Sequence, residues 1–244
     1  MKTNNFDEWS KWYDIIYEER IKELPEIEFY TKLLQKESNS KSLEIACGTG
    51  RLYLPLLEQG FDIHAIDISG DMLDILRQKA KSKNIDPIVY KKDVTKMDLD
   101  EKYDLIYYPF NSITHLSELE NQRDAIKNIY AHLKENGTFA LDIVDNNLSH
   151  LSDYGRMNER IKEIDGTEYK LEFWHSNHSG PIDKFNWNNR IINTETRNIV
   201  FETSFELGLI PKNQLKLLLI DAGFEDYEFI HNSENGRFRI IAQK

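Results

Sequence analysis

Apolar residues recur at helical spacing from residue 7 to about residue 36, where Trp9, Trp12, Tyr13, Ile16, Tyr17 and Ile21 form a stripe and Pro25 marks the start of a second helix. After the polar break at 37–41, residues 42–46 read as a short buried strand running into Cys47-Gly48-Thr49-Gly50, and 51–59 as a helix. The alternation then repeats. Residues 61–66 predict a strand, 71–83 a helix, 88–92 and 103–108 two further strands, and 118–133 a long amphipathic helix. Glu135-Asn136-Gly137 reads as a turn and 138–144 as a fifth, mostly apolar strand.

Beyond Val144 the period changes. Asp165-Gly166, set between the alternating runs 160–164 and 167–175, is a hairpin signal, and Tyr169, Leu171 and Phe173 alternate with their neighbours. Phe185, Trp187, Asn189 and Ile191 share one face, and Ile199, Phe201, Thr203 and Phe205 another, across a turn near 193–196. This predicts an antiparallel insertion of four strands. Helix returns at 212–221 after Pro211, and 225–230 with 237–242 predict a closing pair of strands. The fold class is therefore α/β: a doubly wound, mostly parallel seven-stranded sheet interrupted by an antiparallel β insertion. Residues 1–145 and 208–244 form the core, and 146–207 the insertion.

Composition narrows the partners. Lys and Arg total 31 against 42 Asp and Glu, and a net charge of -11 repels a phosphate backbone unless a basic patch intervenes. The most basic stretches, 79–83 and Lys91-Lys92, are short and lie beside acidic residues, so nucleic acid is not an expected partner. Residues 1–10 lack an apolar signal core, and no apolar run approaches the roughly 20 residues needed to span a bilayer, so no membrane association is expected. Cys47 is the single cysteine, which excludes an intrachain disulfide and fits a cytoplasmic location. His175 and His178 have a spacing that suggests a metal, but no Cys or carboxylate set accompanies them, so none is expected. The oligomeric state stays open.

The chemistry-bearing signal is Glu44-Ile45-Ala46-Cys47-Gly48-Thr49-Gly50, an acidic residue in a buried strand followed by two glycines where backbone approaches a ligand. Asp67 follows Gly48 at the end of the next apolar strand, a spacing suited to ribose hydroxyls, so an adenosine moiety is expected. A dinucleotide fingerprint calls for a third glycine where this chain has Tyr53, which disfavours a nicotinamide cofactor.

These residues resemble the class I S-adenosylmethionine-dependent methyltransferase family, in its small-molecule N-methyltransferase-like branch with a Rossmann-like sheet. The resemblance runs from about Tyr13 to Asp145 and resumes from Pro211, leaving the insertion without recognisable motifs. Glu44 to Arg51 match the family's first motif, the one departure being Ala46, where members often have glycine. The resemblance implies S-adenosyl-L-methionine as cofactor and S-adenosyl-L-homocysteine as product. Gly48 and Gly50 then pack under the methionine moiety, Glu44 supports its amino group, Asp67 binds the ribose, and Ile68 and Met72 flank adenine. Asp93 accepts from the adenine amine, Val94 adds a backbone contact, and Tyr108 closes the fourth strand beside the cofactor. Tyr13 matches the family's amino-terminal segment that folds over the cofactor. Tyr108-Pro109-Phe110 lacks the amide and second proline of the amino-methyltransferases of DNA and protein glutamine, so those substrates are not expected.

The implied function is methyl transfer to a small-molecule acceptor, with an amine ahead of a hydroxyl. From another class, a non-catalytic cofactor-binding accessory protein whose insertion docks a partner is the competing reading. The insertion is expected to cover the substrate, with Phe173, Trp174, Phe185 and Trp187 as pocket candidates. His115 is the candidate general base because an ordinary imidazole titrates near neutrality, Tyr13 the candidate positioning residue, and Asn111 the candidate acceptor hydrogen-bonding group.

Overall fold

The computed structural model describes residues 6–24, 26–36, 40–144, 157–177, 184–232 and 237–244. Helices α1 (Phe6–Ile16), α2 (Glu18–Glu23) and α3 (Ile27–Lys36) precede β1 (Lys41–Ile45), α4 (Tyr53–Glu58), β2 (Asp62–Asp67), α5 (Gly70–Ser82), β3 (Ile88–Lys91), β4 (Tyr103–Tyr108), α6 (Leu119–His132) and β5 (Leu133–Val144). Then come β6 (Asn158–Ile164), β7 (Thr167–Asn177), β8 (Lys184–Asn193), β9 (Ile199–Gly208), α7 (Lys212–Ala222), β10 (Asp226–Asn232) and β11 (Arg237–Gln243).

Seven strands pair in the order β10-β11-β5-β4-β1-β2-β3, with β1 to β5 parallel and β11 antiparallel to both β5 and β10. The strand order reverses between β1 and β4, and the carboxyl ends beside such a switch point leave a crevice for a ligand. One face of the sheet packs Leu105, Tyr107 and Ala140 against Tyr30, Leu33 and Leu34 of α3 and Leu73 and Leu76 of α5. On the other face Phe139 of β5 stacks on Phe224 at 5.9 Å, and Phe224 meets Tyr130 of α6 edge-on at 5.0 Å. Near-continuous apolar strands such as β4 are what a sheet covered on both faces requires.

A second sheet runs β6-β7-β8-β9, antiparallel throughout. The chain divides into two units, Phe6–Ile113 with Leu119–Asp145 and Lys212–Lys244 in one, and Thr114–Glu118 with the described residues of Asn146–Pro211 in the other. Asp165 and Gly166 have φ of 50° and 76°, the two left-handed residues of the tight turn their dipeptide predicts.

The structure corrects several local expectations. The helix expected from Arg51 starts at Tyr53, after a turn that follows the left-handed Gly50 (φ 83°), whose carbonyl accepts from Leu54 N at 3.0 Å. Glu135-Asn136-Gly137 does not precede the fifth strand but bulges out of it: Tyr103 and Leu105 of β4 pair with Leu133 and Thr138 of β5. Phe201 and Phe205 do not occupy a separate face; they lie opposite Ile191 and Trp187, and cross-strand partners share a face, while the irregularity at Ile191/Ile192 leaves Ile199 opposite Ile192. Trp174 pairs with Asn188 and so points away from Phe173, Phe185 and Trp187; it packs under Arg190, 5.1 Å from the ring. Pro25 and His178 lie outside the described residues. Among those residues no group of three or more His, Cys, Asp or Glu is placed to hold a metal, and no helix is long and apolar enough to cross a membrane.

A ladder of buried polar groups runs beneath α3. The Tyr107 hydroxyl donates to Glu44 Oε2 at 3.0 Å, the Tyr107 ring lies 5.0 Å from that of Tyr30, and the Tyr30 hydroxyl donates to Asp142 Oδ1 at 2.7 Å. Buried carboxyls need such partners, and one neutral donor does not offset the desolvation of Glu44. Burial therefore pushes its carboxyl up to about 8 against the Tyr107 hydrogen bond. The folded protein thus holds a proton there that the unfolded chain has released above an ordinary carboxyl pKa, so stability is full at low pH and falls as pH rises through about 8. Relative to Glu44→Gln, the wild type should lose on the order of 1 kcal/mol per pH unit between about pH 5 and pH 8 in denaturant unfolding. Parallel stability curves for the two proteins would contradict a protonated Glu44.

Candidate functional site

The turn after β1 is built from left-handed residues: Ala46, Gly48 and Gly50 have φ of 56°, 55° and 83°. The two glycines do different work. A Cβ on Gly50 would stand 2.9 Å from the Cγ atoms of Leu54 and Leu76, so this glycine lets α4 and α5 pack together. A Cβ on Gly48 would meet nothing within 4 Å, so this glycine leaves open space at the strand end, the cradle a ligand needs. Ala46 holds a left-handed conformation that costs an L-residue about 1–2 kcal/mol, which is why glycine is common at its position in the resembling family.

Asp67 ends β2 and clamps this turn. Its Oδ2 accepts from Gly48 N at 2.7 Å and its Oδ1 from Ser69 N at 2.9 Å. A carboxylate has about four lone-pair positions, so one on each oxygen still serves a pair of hydroxyls. Burial raises the Asp67 pKa, and the backbone donors at Ser69, Gly48 and Ile68 oppose that rise. Ile68 beside it is 52% exposed, an apolar side chain presented rather than packed, while Met72 is buried one turn into α5, whose amino end is capped by the Ser69 hydroxyl. Asp93 follows β3 and caps the 3-10 turn Val94–Lys96; both bonds it accepts, from Thr95 N at 2.9 Å and Thr95 Oγ1 at 2.8 Å, fall on Oδ1. Val94 is buried. The carboxyl ends of β1, β2 and β3 thus carry Gly48, Asp67 and Asp93 along one edge of the sheet.

Helix α1 is tied down over that edge. Asp14 Oδ1 accepts from the Thr49 hydroxyl at 2.6 Å and its carboxylate pairs with Lys79, which also donates to Thr49 O at 3.1 Å; Asp7 accepts from Ser69 Oγ at 2.6 Å. Tyr13 on this helix lies 4.8 Å from the Tyr17 ring. Burial pushes its phenol up, and the nearby Arg51 guanidinium draws it partly back by charge and hydrogen bond.

Arg51 is the residue that motif reading passed over. It is 6% exposed, with its guanidinium 4.0 Å from the Phe110 ring centroid and 5.7 Å from that of Tyr17. Nη2 stands 3.8 Å from Glu26, and neither Nη2 nor Nε has a hydrogen-bond partner among the described residues. A buried guanidinium with unanswered N–H groups beside a glycine turn has donors to offer an anion. Its sequence signal was its position directly after Gly50, within the quoted motif.

The loop after β4 is held from β5. Phe110 N donates to Asp142 Oδ1 at 2.7 Å, Asn111 N to Asp142 O at 3.1 Å, and Asn111 Oδ1 accepts from Val144 N at 3.0 Å. Phe110 and Asn111 take φ of 63° and 61°, two consecutive left-handed residues that these bonds over-determine. The Asn111 carbonyl oxygen is thereby committed to backbone and shapes the loop. Tyr108, at the end of β4, is buried, which raises its phenol pKa.

His115 ends the 3-10 turn Ser112–His115 and belongs to the unit of the four-stranded sheet, where it meets Phe205 edge-on at 5.6 Å. Desolvation by its surroundings lowers its pKa to about 4. The expectation that it titrates near neutrality is therefore corrected: apolar neighbours disfavour the imidazolium.

Residues 43–137 match the methyltransferase domain family. Among curated relatives, the glycine/sarcosine N-methyltransferase of Parasynechococcus marenigrum (strain WH8102) is 32% identical over 119 residues, 47% of this chain and 42% of that protein. The ubiquinone biosynthesis O-methyltransferase of Rickettsia conorii (strain ATCC VR-613 / Malish 7) is 24% identical over 116 residues, 48% of this chain and 39% of its own. The chain spans about half the length of the curated relatives it matches. The solved sugar N-methyltransferase KedS8 from Streptoalloteichus sp ATCC 53650 superposes with a TM-score of 0.76 at 20% identity, covering 95% of this chain and 92% of that one, a likeness of fold. Residues 43–137 thus carry a methyltransferase-domain match across the glycine turn, and the fold through nearly the whole chain is shared with solved S-adenosylmethionine-dependent methyltransferases.

Proposed function

We propose that the protein transfers the methyl group of S-adenosylmethionine to a small-molecule amine. The observation that carries the cofactor half is the alignment of Gly48, Asp67 and Asp93 at three successive strand ends with a buried, unanswered Arg51 beside the first. The residues fit the group. Arg51 answers the methionine carboxylate, the open side of Gly48 admits the chain beneath it, and Asp67 takes the ribose hydroxyls. Ile68 and Met72 bracket adenine, and Asp93 faces its amine, with the Val94 backbone beside it. Glu44 acts from below by holding the turn through Tyr107 and by supporting the cofactor's amino group.

When bound, the cofactor supplies an activated methyl on a sulfonium. What remains for this chain is to orient the acceptor, exclude water and handle one proton. Helix α1, tied through Asp7 and Asp14, closes over the cofactor edge, and Tyr13 positions from it. The Phe110-Asn111 loop fixes the entrance, with Asn111 acting through Val144.

The chemistry of His115 favours nitrogen over oxygen as the acceptor atom. A free amine carries its own lone pair and needs a proton acceptor only as the ammonium forms. A hydroxyl must surrender its proton in the transition state, and an imidazole held at about 4 is a weak base for that. The competing O-methylation reading rests on likeness to relatives such as the rickettsial enzyme. The four-stranded sheet is the acceptor-recognition element in this reading, and a docking role for it in an accessory protein is the alternative that absence of turnover would favour.

Two outcomes test the proposal. Calorimetry should find S-adenosylhomocysteine binding that weakens by about 1–3 kcal/mol in Asp67→Ala, and Arg51→Lys should lose the wild type's preference for S-adenosylhomocysteine over its decarboxylated analogue. No binding by the intact protein sinks the reading. Because the imidazole held at about 4 is a weak proton acceptor, His115→Ala should lower amine methylation by no more than about tenfold while sparing cofactor affinity, with no limb near pH 6.5 in the wild-type kcat/KM profile beyond that of the acceptor's own ammonium. Unchanged turnover in that variant leaves positioning as the whole mechanism.

A further inference from the structure

The four-stranded sheet carries a polar group that its packing does not explain. Along one face of β8 stand Phe185, Trp187, Asn189 and Ile191; opposite them on β9 are Leu207, Phe205, Thr203 and Phe201, and on β7 Asn177, His175, Phe173 and Leu171. This face is aromatic at its centre. Trp187 stacks on Phe205 at 5.9 Å, and His115 meets the same Phe205 edge-on. In its midst Asn189 is 0% exposed, and neither its Oδ1 nor its Nδ2 has a hydrogen-bond partner among the described residues. Asn188, its neighbour on the opposite face, is by contrast fully engaged: its Nδ2 reaches Trp174 O at 3.2 Å and Ser176 Oγ at 3.0 Å.

A buried amide with both ends unanswered costs about 1–3 kcal/mol for each polar atom left so, and an apolar side chain of the same shape would remove that cost. Unsatisfied groups of this kind in native structures ask for a cause, and a ligand is one that also explains the surroundings. A side-chain amide presents N–H donors at one end and a carbonyl acceptor at the other, a match for a hydroxyl, which both gives and takes a hydrogen bond. The flanking Trp187 and Phe205 rings suit an apolar ring face. Charge on this face argues against a carboxylate ligand: β7, β8 and β9 place no Lys or Arg on it, while Lys184, Arg190 and Lys170 alternate to the other side, where Arg190 and Lys170 pair with Glu172. Arg160 and Lys162 share the aromatic face only on the edge strand β6, where Arg160 is exposed and Lys162 half-buried.

We propose that Asn189 reads a neutral hydroxyl on a ring-bearing small molecule held at the aromatic face of the four-stranded sheet. The ligand class is then a hydroxylated ring compound, in preference to an amino acid. That it is an amine and the methyl acceptor rests on the methyltransferase reading, while the hydroxyl recognition itself is testable without turnover. Thr203, directly opposite Asn189 on β9, stands on the same face and is the second hydroxyl-bearing group available to such a ligand.

The test uses three probes on the full-length protein, with and without saturating S-adenosylhomocysteine: trans-2-aminocyclohexanol, cyclohexylamine, which lacks only the hydroxyl, and glycine. Binding is followed by ligand-detected NMR, and melting temperature and S-adenosylhomocysteine affinity are measured alongside. The wild type should favour aminocyclohexanol over cyclohexylamine by about tenfold and bind glycine more weakly than either. Asn189→Leu should erase the preference for the hydroxyl, raise the melting temperature and leave S-adenosylhomocysteine affinity unchanged. Asn189→Gln, which keeps the amide but moves it, controls for packing: it should also lose the preference, yet without the rise in melting temperature. A wild type indifferent to the hydroxyl, or an Asn189→Leu variant that keeps the preference, overturns the proposal. Failure of S-adenosylhomocysteine to bind overturns the methyltransferase reading instead, and the probe comparison on the unloaded protein still decides the role of Asn189.

Discussion

The carboxylate of Asp67 is the constraint on which the site depends. By accepting from Gly48 N and Ser69 N at once, it joins the turn after β1 to the start of α5, so that the open side of Gly48 and the cap of a helix are fixed by one side chain. Such a group must be ionised to accept well, yet burial works against its charge, and the backbone donors around it are what hold the balance. A further hydrogen-bond donor at its remaining lone pairs relieves the same conflict. A ligand that supplied such a donor would couple its binding to local stability through this one residue.

The same logic recurs around it. Arg51 is buried with N–H groups unanswered, Glu44 is buried with its proton retained, and Asn189 is buried with an idle amide. Each is a local cost that a folding argument alone does not justify. In the larger unit the Arg51 guanidinium, the protonated carboxyl of Glu44 and the carboxylate of Asp67 stand around a glycine turn. The aromatic face of the four-stranded sheet holds the neutral member of the set.

Much of this was legible in the sequence because its signals are local. The apolar runs of β1, β2 and β4, the Asp165-Gly166 turn and the Gly48-to-Asp67 spacing each follow from steric or hydrogen-bonding rules that act over a few residues. What was not legible depends on contacts across the fold. The bulge at 135–137 is set by pairing with Tyr103, and the shared face of Phe205 and Trp187 by strand register, neither of which periodicity reveals. The lowered pKa of His115 and the commitment of Asn111 to Val144 likewise arise from neighbours distant in sequence. Arg51 lay inside the recognised motif but acquires its meaning only from burial beside Phe110 and Glu26.

The central claim, that the carboxyl ends of β1, β2 and β3 receive S-adenosylmethionine, is tested most directly by a crystal structure of the protein grown with saturating S-adenosylhomocysteine. The account predicts the ligand's carboxylate on the Arg51 guanidinium, its ribose hydroxyls on Asp67 and its adenine against Ile68 and Asp93. A ligand seated elsewhere, or Arg51 with its N–H groups still unanswered while the ligand is bound, would contradict it.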